Sequence, residues 1–274
     1  MLQKNFILDV GITNATKQVI LEYIIKGLEK NGKKYFIVTP NPEILVLAHE
    51  AKEYKKILNN AEIALPDGVG VIIAGKILGI RFKERITGVE LLESLCLAVA
   101  KKPITVGFLG GGYGIAEKAA ECLRNRYPGL KVIFAESGNP DDNTVSLVKE
   151  KILRYYDTKI LRENKNKEKS PNILISQYPN IYLDILFVAF GVPKQETWIN
   201  ENLDKLQVRV AIGVGGAFDY ISGRVPRAPD FIQKLGFEWL FRLIVQPWRL
   251  KRQLALLEFI FLVLREKLAS KKRI

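Results

Sequence analysis

Histidine occurs once in this 274-residue chain, at His49, and cysteine twice, at Cys96 and Cys122. A single histidine excludes histidine-based triads and multi-histidine metal centres; His49 itself, inside ILVLAHEAKEY, reads as a surface or helix-packing residue. The two cysteines lie in helical-period runs (LLESLCLAVA and EKAAECLRNRY) and argue against a disulfide framework or a thiolate zinc site. Long apolar runs are also missing. The longest candidate, LALLEFIFLVL from Leu254 to Leu264, spans 11 residues and carries Glu258, whereas a membrane-crossing helix needs roughly 20. The N-terminal MLQKNFILDVGITNATKQ lacks the apolar centre and cleavage site of a secretion signal, so a cytoplasmic protein is expected. No Asp-x-Asp occurs, which argues against a metal ion held by that motif. No G-x-x-x-x-G-K-[ST] occurs, which argues against ATP hydrolysis. The glycine cluster at 110–114 fails G-x-G-x-x-G because Ile115 takes the third glycine's place, which disfavours nicotinamide and flavin.

What is abundant is positive charge: 42 Lys+Arg stand against 29 Asp+Glu, a formal +13, which attracts anionic partners such as nucleic acid, phosphorylated ligands or acidic lipid. The charge is uneven. Residues 224–274 hold twelve Lys+Arg and four Asp+Glu, so +8 of the +13 sits in the last fifth of the chain. That change of character divides the chain into an α/β domain over 1–223 and a helical basic appendage over 224–274. Within the first part, short apolar runs (FILDV, KYFIVT, AEIAL, PITVGFLG, LKVIFAE, YLDILFVAF, VRVAIGV) alternate with helical-period segments such as PEILVLAHEAKEYKKILNN. This rhythm predicts a Rossmann-like, mostly parallel sheet with helices on both faces. The polar, lysine-rich stretch 163–180 interrupts it and reads as a surface insertion.

Ligands of such sheets bind outside the carboxyl ends of the strands, so the strand-to-helix junctions are the candidate site. Asp67, in Leu65-Pro66-Asp67-Gly68 after AEIAL, is placed to act as a general base; it is equally a residue that starts a turn or caps the next helix. Thr39, Pro40 and Asn41 end KYFIVT, with Asn41 and Pro42 also fitting an N-cap and first-turn proline. Arg85 precedes Thr87-Gly88, where Thr87 and Glu90 have capping-box spacing; an arginine beside a helix N-terminus suits a diphosphate, and a solvated residue of the run RFKER is the other reading. Gly110 and Gly111 open a helix where backbone can approach a phosphate. Gly191 begins GVPKQE, in which Gln195 offers a paired donor and acceptor to a sugar or uracil edge. Gly215, Gly216 and Asp219 follow VRVAIGV and lead to Arg224 and Arg227.

In order, TPN (39–41), PDGVG (66–70), RITG (85–88), FLGG (108–111), GVPKQE (191–196), GVGGAFD (213–219), RAP (227–229) and the tail GFEWLFRLIVQPWR (236–249) resemble the TagA/WecG/CpsF family over nearly the whole chain. The resemblance implies an inverting, metal-independent transferase needing no cofactor. It would move N-acetylmannosamine or its uronic acid from a UDP-sugar to polyprenyl-diphosphate-linked GlcNAc in cell-wall or surface-polysaccharide synthesis. By position it makes Asp67 the base, puts Thr39, Asn41 and Gln195 beside it, matches Arg85 to the pocket arginine, and assigns Arg224 and Arg227 to an appendage that closes over the donor diphosphate. The stretch 163–180 is longer than the family leads one to expect.

In the appendage, Phe231, Ile232, Leu235, Trp239, Leu243 and Trp248 alternate with Lys234, Arg242, Arg249, Lys251 and Arg252. Two readings stand: reversible attachment to an anionic membrane at its inner face, or packing on the core with the basic residues solvated. A homo-oligomer is left open. The competing functions are a basic nucleic-acid-binding protein, which predicts salt-dependent binding and no sugar transfer, and a Rossmann-like oxidoreductase. With the transferase reading, nucleic acid is not an expected partner.

Overall fold

A computed structural model describes residues 2–30, 34–163 and 181–271. Six parallel strands form its sheet in the order β4-β3-β8-β7-β5-β6: β3 (Tyr35–Val38), β4 (Ile63–Ala64), β5 (Thr105–Gly110), β6 (Lys131–Glu136), β7 (Leu183–Ala189) and β8 (Val208–Gly213). β5 is buried throughout and β7 nearly so, as expected for parallel strands covered on both faces.

Each face has its own apolar layer. On one, α2 (Pro42–Glu50), α3 (Lys52–Asn60), α4 (Val69–Leu78), α7 (Thr144–Glu163), α8 (Lys194–Asn202) and α12 (Leu250–Lys271) contribute Leu45, Leu58, Val71, Val148, Trp198 and Phe259. On the other, α1 (Lys17–Glu29), α5 (Gly88–Val99), α6 (Ile115–Arg126) and the short α9 (Ala217–Ile221) contribute Ile24, Leu92, Leu123 and Phe218. Phe108 of β5 touches Phe187 of β7 and Phe218 of α9, with ring centroids 5.4 and 5.5 Å apart. The three rings pack α9 against the middle of β5 and β7. Between α9 and α12 lie α10 (Asp230–Leu235) and α11 (Glu238–Val245).

Two elements differ from the sequence reading. FILDV is not one strand of the main sheet: Leu8 and Asp9 take left-handed dihedrals (φ 50° and 63°) and turn β1 (Lys4–Ile7) back on β2 (Val10–Thr13) as an antiparallel hairpin. PEILVLAHEAKEYKKILNN is two helices, because Ala51 leaves the helical region (φ −110°, ψ 99°) and re-aims Tyr54 and Leu58 at the core. Both cysteines are free and helical, Cys96 buried in α5 and Cys122 partly so in α6, and His49 is exposed.

The last helix is divided lengthwise. Phe259, Leu262 and Val263 of α12 belong to the core, Leu8 N–H donates to Glu266, and α12 runs along α2 and α4. Leu254, Leu257, Phe261 and Leu268 on the same helix face outward. The lysine-rich stretch at 164–180 lies outside the described residues, as do the side chains of Lys234, Arg249, Lys251 and Arg252.

Candidate active site

The carboxyl ends of neighbouring strands bring the sequence-predicted junctions to one edge of the sheet: Asp67 after β4, Thr39 and Asn41 after β3, Gly215 and Gly216 after β8, Gly191 after β7, and Gly110 and Gly111 after β5. The junctions are tied directly to one another. Asp67 N–H donates to Pro40 O (3.0 Å) and Ile86 N–H to Pro66 O (3.2 Å), which draws the β3, β4 and α5 loops together. Thr39 Oγ1 donates to Gly213 O at 3.3 Å. Asn41 caps α2, its Oδ1 accepting from Ile44 N–H at 3.0 Å, with Pro42 in the first turn.

Asp67 does not cap the helix that follows it. Gly68 holds the N-cap of α4 with φ 90°, a left-handed value that glycine adopts without strain. The carboxylate instead turns to the N-terminus of α5, where Oδ2 accepts from Gly88 N–H at 3.3 Å. Thr87 and Glu90 form the reciprocal capping box of that helix. A Cβ on Gly88 would stand 3.2 Å from Val214 O and 3.5 Å from Thr39 Oγ1, so the bare glycine lets α5 close on the β8 loop. Burial is the main influence on Asp67 and pushes its pKa up to about 7; the Gly88 N–H and Arg85 oppose the rise, while Glu238 and Glu90 reinforce it.

The arginines occupy two different settings. Arg85 and Arg227 share Glu90 Oε1, at 3.7 and 3.8 Å, and Arg227 also reaches Glu93 Oε2 (3.7 Å) and Glu238 Oε1 (3.6 Å). Arg227 thus joins α5 to α11, the helix whose Glu238 acts on Asp67. Arg224 and Arg242 lie on bare glycine backbone. A Cβ added at Gly112 would come within 2.5 Å of an Arg224 nitrogen, and one added at Gly216 within 2.5 Å of an Arg242 nitrogen. The Arg242 guanidinium also stacks over the Tyr220 ring at 4.8 Å. Asp219 lies in α9 between these loops, and its carbonyl accepts from Val225 N–H and Ser222 Oγ.

Gln195 is brought to the site but not to its surface. It is 1% exposed; Oε1 accepts from Gly215 N–H at 3.0 Å and Nε2 donates to Glu196 Oε1 at 2.7 Å. Its amide therefore supports the β8 loop from beneath. Gly88 was legible as the end of RITG but not as the group that holds Asp67, and sequence reasoning did not place Glu90, Glu238 or Arg242 beside it. Glu90 was visible only as a capping residue, and Arg242 only as one of many tail cations. Gly88 and Glu238 stand inside the RITG and GFEWLFRLIVQPWR motifs, but their relation to Asp67 depends on how α5 and α11 pack.

Known proteins match this chain over the span that holds these junctions. A protein 32% identical over 245 residues, from Bacillus spizizenii, covers 89% of this chain and 84% of its own length; it is an N-acetylglucosaminyldiphosphoundecaprenol N-acetyl-beta-D-mannosaminyltransferase. Proteins of the same name from Bacillus subtilis and Staphylococcus aureus are each 29% identical, cover 97% of this chain, and align over 93% and 94% of their own lengths. The family model described as the glycosyl transferase WecG/TagA/CpsF family matches residues 6–273, the span that carries every junction above, and the chain belongs to that family.

Proposed function

We propose that the chain transfers N-acetylmannosamine, or a closely related N-acetylhexosamine or uronic acid, from a UDP-sugar to polyprenyl-diphosphate-linked GlcNAc during cell-wall polymer synthesis of the teichoic-acid-linkage type. The relatives' shared name supports the acceptor and the sugar. The observation that carries the chemistry is Asp67: a carboxylate at the mouth of β4, anchored through one oxygen by Gly88 N–H and raised toward neutrality, leaving the second oxygen to take a proton.

In this reading the acceptor hydroxyl gives its proton to Asp67 as its oxygen bonds to the anomeric carbon. The bond from that carbon to the UDP oxygen breaks on the opposite side, so the centre inverts. The electron pair leaves on the diphosphate, where arginine supplies the countercharge without a metal ion. Arg224 and Arg242, lying on the glycine loops, are the supported partners of the donor. Arg85 and Arg227 are held by Glu90, Glu93 and Glu238, and join them when the diphosphate replaces those carboxylates. Thr39 and Asn41 line the pocket beside Asp67. Gly68, Thr87, Gly110, Gly111, Gly191, Gly215, Gly216 and Asp219 shape the donor loops.

The acceptor's lipid requires a place at a membrane. Among the described residues no helix is long and apolar enough to cross one. Phe231, Trp239, Ile244, Trp248, Leu257 and Phe261 are exposed on the basic 224–274 segment and support reversible attachment to the anionic inner face. The test is a panel of UDP-sugars assayed against lipid-diphospho-GlcNAc: UDP-N-acetylmannosamine or its uronic acid is turned over, and Asp67→Asn is folded and inactive. Turnover by Asp67→Asn at the wild-type rate would remove the base assignment.

A further inference from the structure

Beneath the donor loops lies a carboxylate that the transfer step does not use. Glu196, in the first turn of α8, is fully buried. Its Oε1 accepts from Gln195 Nε2 at 2.7 Å, and its Oε2 is 3.1 Å from Tyr54 Oη of α3. Tyr54 is itself 6% exposed. Burial holds the Glu196 carboxyl above the usual range, opposed by these hydrogen bonds, and raises the Tyr54 phenol further. A buried carboxylate carries a desolvation cost that an apolar residue of the same size would not, so packing alone does not account for it.

The hydrogen-bond chain continues upward. A glutamine amide carries an oxygen at one end and a donor nitrogen at the other, and only one orientation serves a backbone N–H. Gly215 N–H, 3.0 Å from Gln195, needs the oxygen. Glu196 Oε1 accepts whether or not a proton is shared between Oε2 and Tyr54, so it always draws the nitrogen. The amide fills the space under the loop closely: a Cβ on Gly213 would stand 3.1 Å from Gln195 Nε2. From the loop the contacts run on to the reacting group, through Thr39 Oγ1 on Gly213 O, and through Val214 against Gly88, whose N–H holds Asp67.

We propose that Glu196 is a positioning residue of the transferase: it acts through Gln195, orienting the amide that holds the Gly213–Gly216 loop in the shape that receives the nucleotide end of the donor. The proposal rests on the donor-site reading above and adds to it the element that sets the loop.

The test uses the full chain and two readouts, hydrogen exchange at the Gly215 amide and the split of KM and kcat for UDP-N-acetylmannosamine. Glu196→Leu frees the Gln195 amide to turn, so Gly215 exchange quickens by about tenfold and donor KM rises about tenfold while kcat changes less. Glu196→Gln stays within about threefold of wild type, since its oxygen faces Gln195 and its NH2 finds Tyr54 Oη. Tyr54→Phe alone keeps the Oε1 contact and stays near wild type. Glu196→Met, an unbranched apolar side chain of similar length that also offers Gln195 no oxygen, reproduces the Glu196→Leu phenotype. It decides the matter where Glu196→Leu fails to fold. Wild-type exchange and KM in either folded variant overturn the proposal. Exchange needs no substrate, so a wild type inactive on UDP-sugars counts against the function while the exchange result still decides the relay.

Discussion

At the scale of single residues, the base role proposed for Asp67 ties the protein to pH in two measurable ways. As a base it works ionised, so kcat/KM should rise with pH through about 7 and level off above it. Asp67→Asn should lose about a hundredfold or more in kcat. Stability runs in the opposite sense. The native carboxyl keeps its proton up to about 7, whereas the unfolded chain releases it near 3.8. Between those values the native state binds more protons, so Asp67 makes the protein less stable as pH rises. Asp67→Asn should therefore melt at a higher temperature than wild type at pH 8, with the gap closing toward pH 4. The sequence placed Asp67 at a strand end but left its turn-forming role open. That choice was decided by Gly88 N–H, 21 positions away in the chain.

At the scale of elements, caps and glycines carry testable weight. Thr87→Ala removes the side-chain half of the α5 capping box and should cost about 1 kcal/mol in urea unfolding. Gly110 and Gly114 both have positive φ, but only at Gly110 would a Cβ meet backbone, 2.9 Å from Ala189 C. Gly114→Ala should cost about 1–2 kcal/mol, and Gly110→Ala clearly more. Helix starts at Asn41 and Thr87 were legible because capping is a local code of a few residues. The hairpin at Leu8-Asp9 and the break at Ala51 were not, since neither position carries a glycine or proline to mark it.

At the scale of the whole molecule, α12 serves both the core and the outer surface. Phe259→Ala should destabilise by about 3–5 kcal/mol, because that ring is 1% exposed in the core that α12 shares with α2 and α4. Phe261→Ser and Trp248→Ser, at rings 63% and 74% exposed, should leave stability within about 0.5 kcal/mol. Each should also weaken sedimentation with anionic vesicles by about tenfold. Unchanged sedimentation of both would rule out the membrane-facing role of this surface. Truncation at residue 224 is a poorer test, since it strips Phe259, Leu262 and Val263 from the core along with the exposed side chains.

The sequence by itself determined the layered α/β architecture, the strand-end position of the candidate residues, the family and the basic character of the tail. These are written in hydrophobic period, short ordered motifs and net charge, all properties of neighbouring residues. Tertiary structure alone decided which face of α12 is core, that Gln195 lies beneath the loop, and that Arg227 is shared among Glu90, Glu93 and Glu238. Each of these depends on groups far apart in the chain meeting across a packed interface, and no local pattern encodes such a meeting.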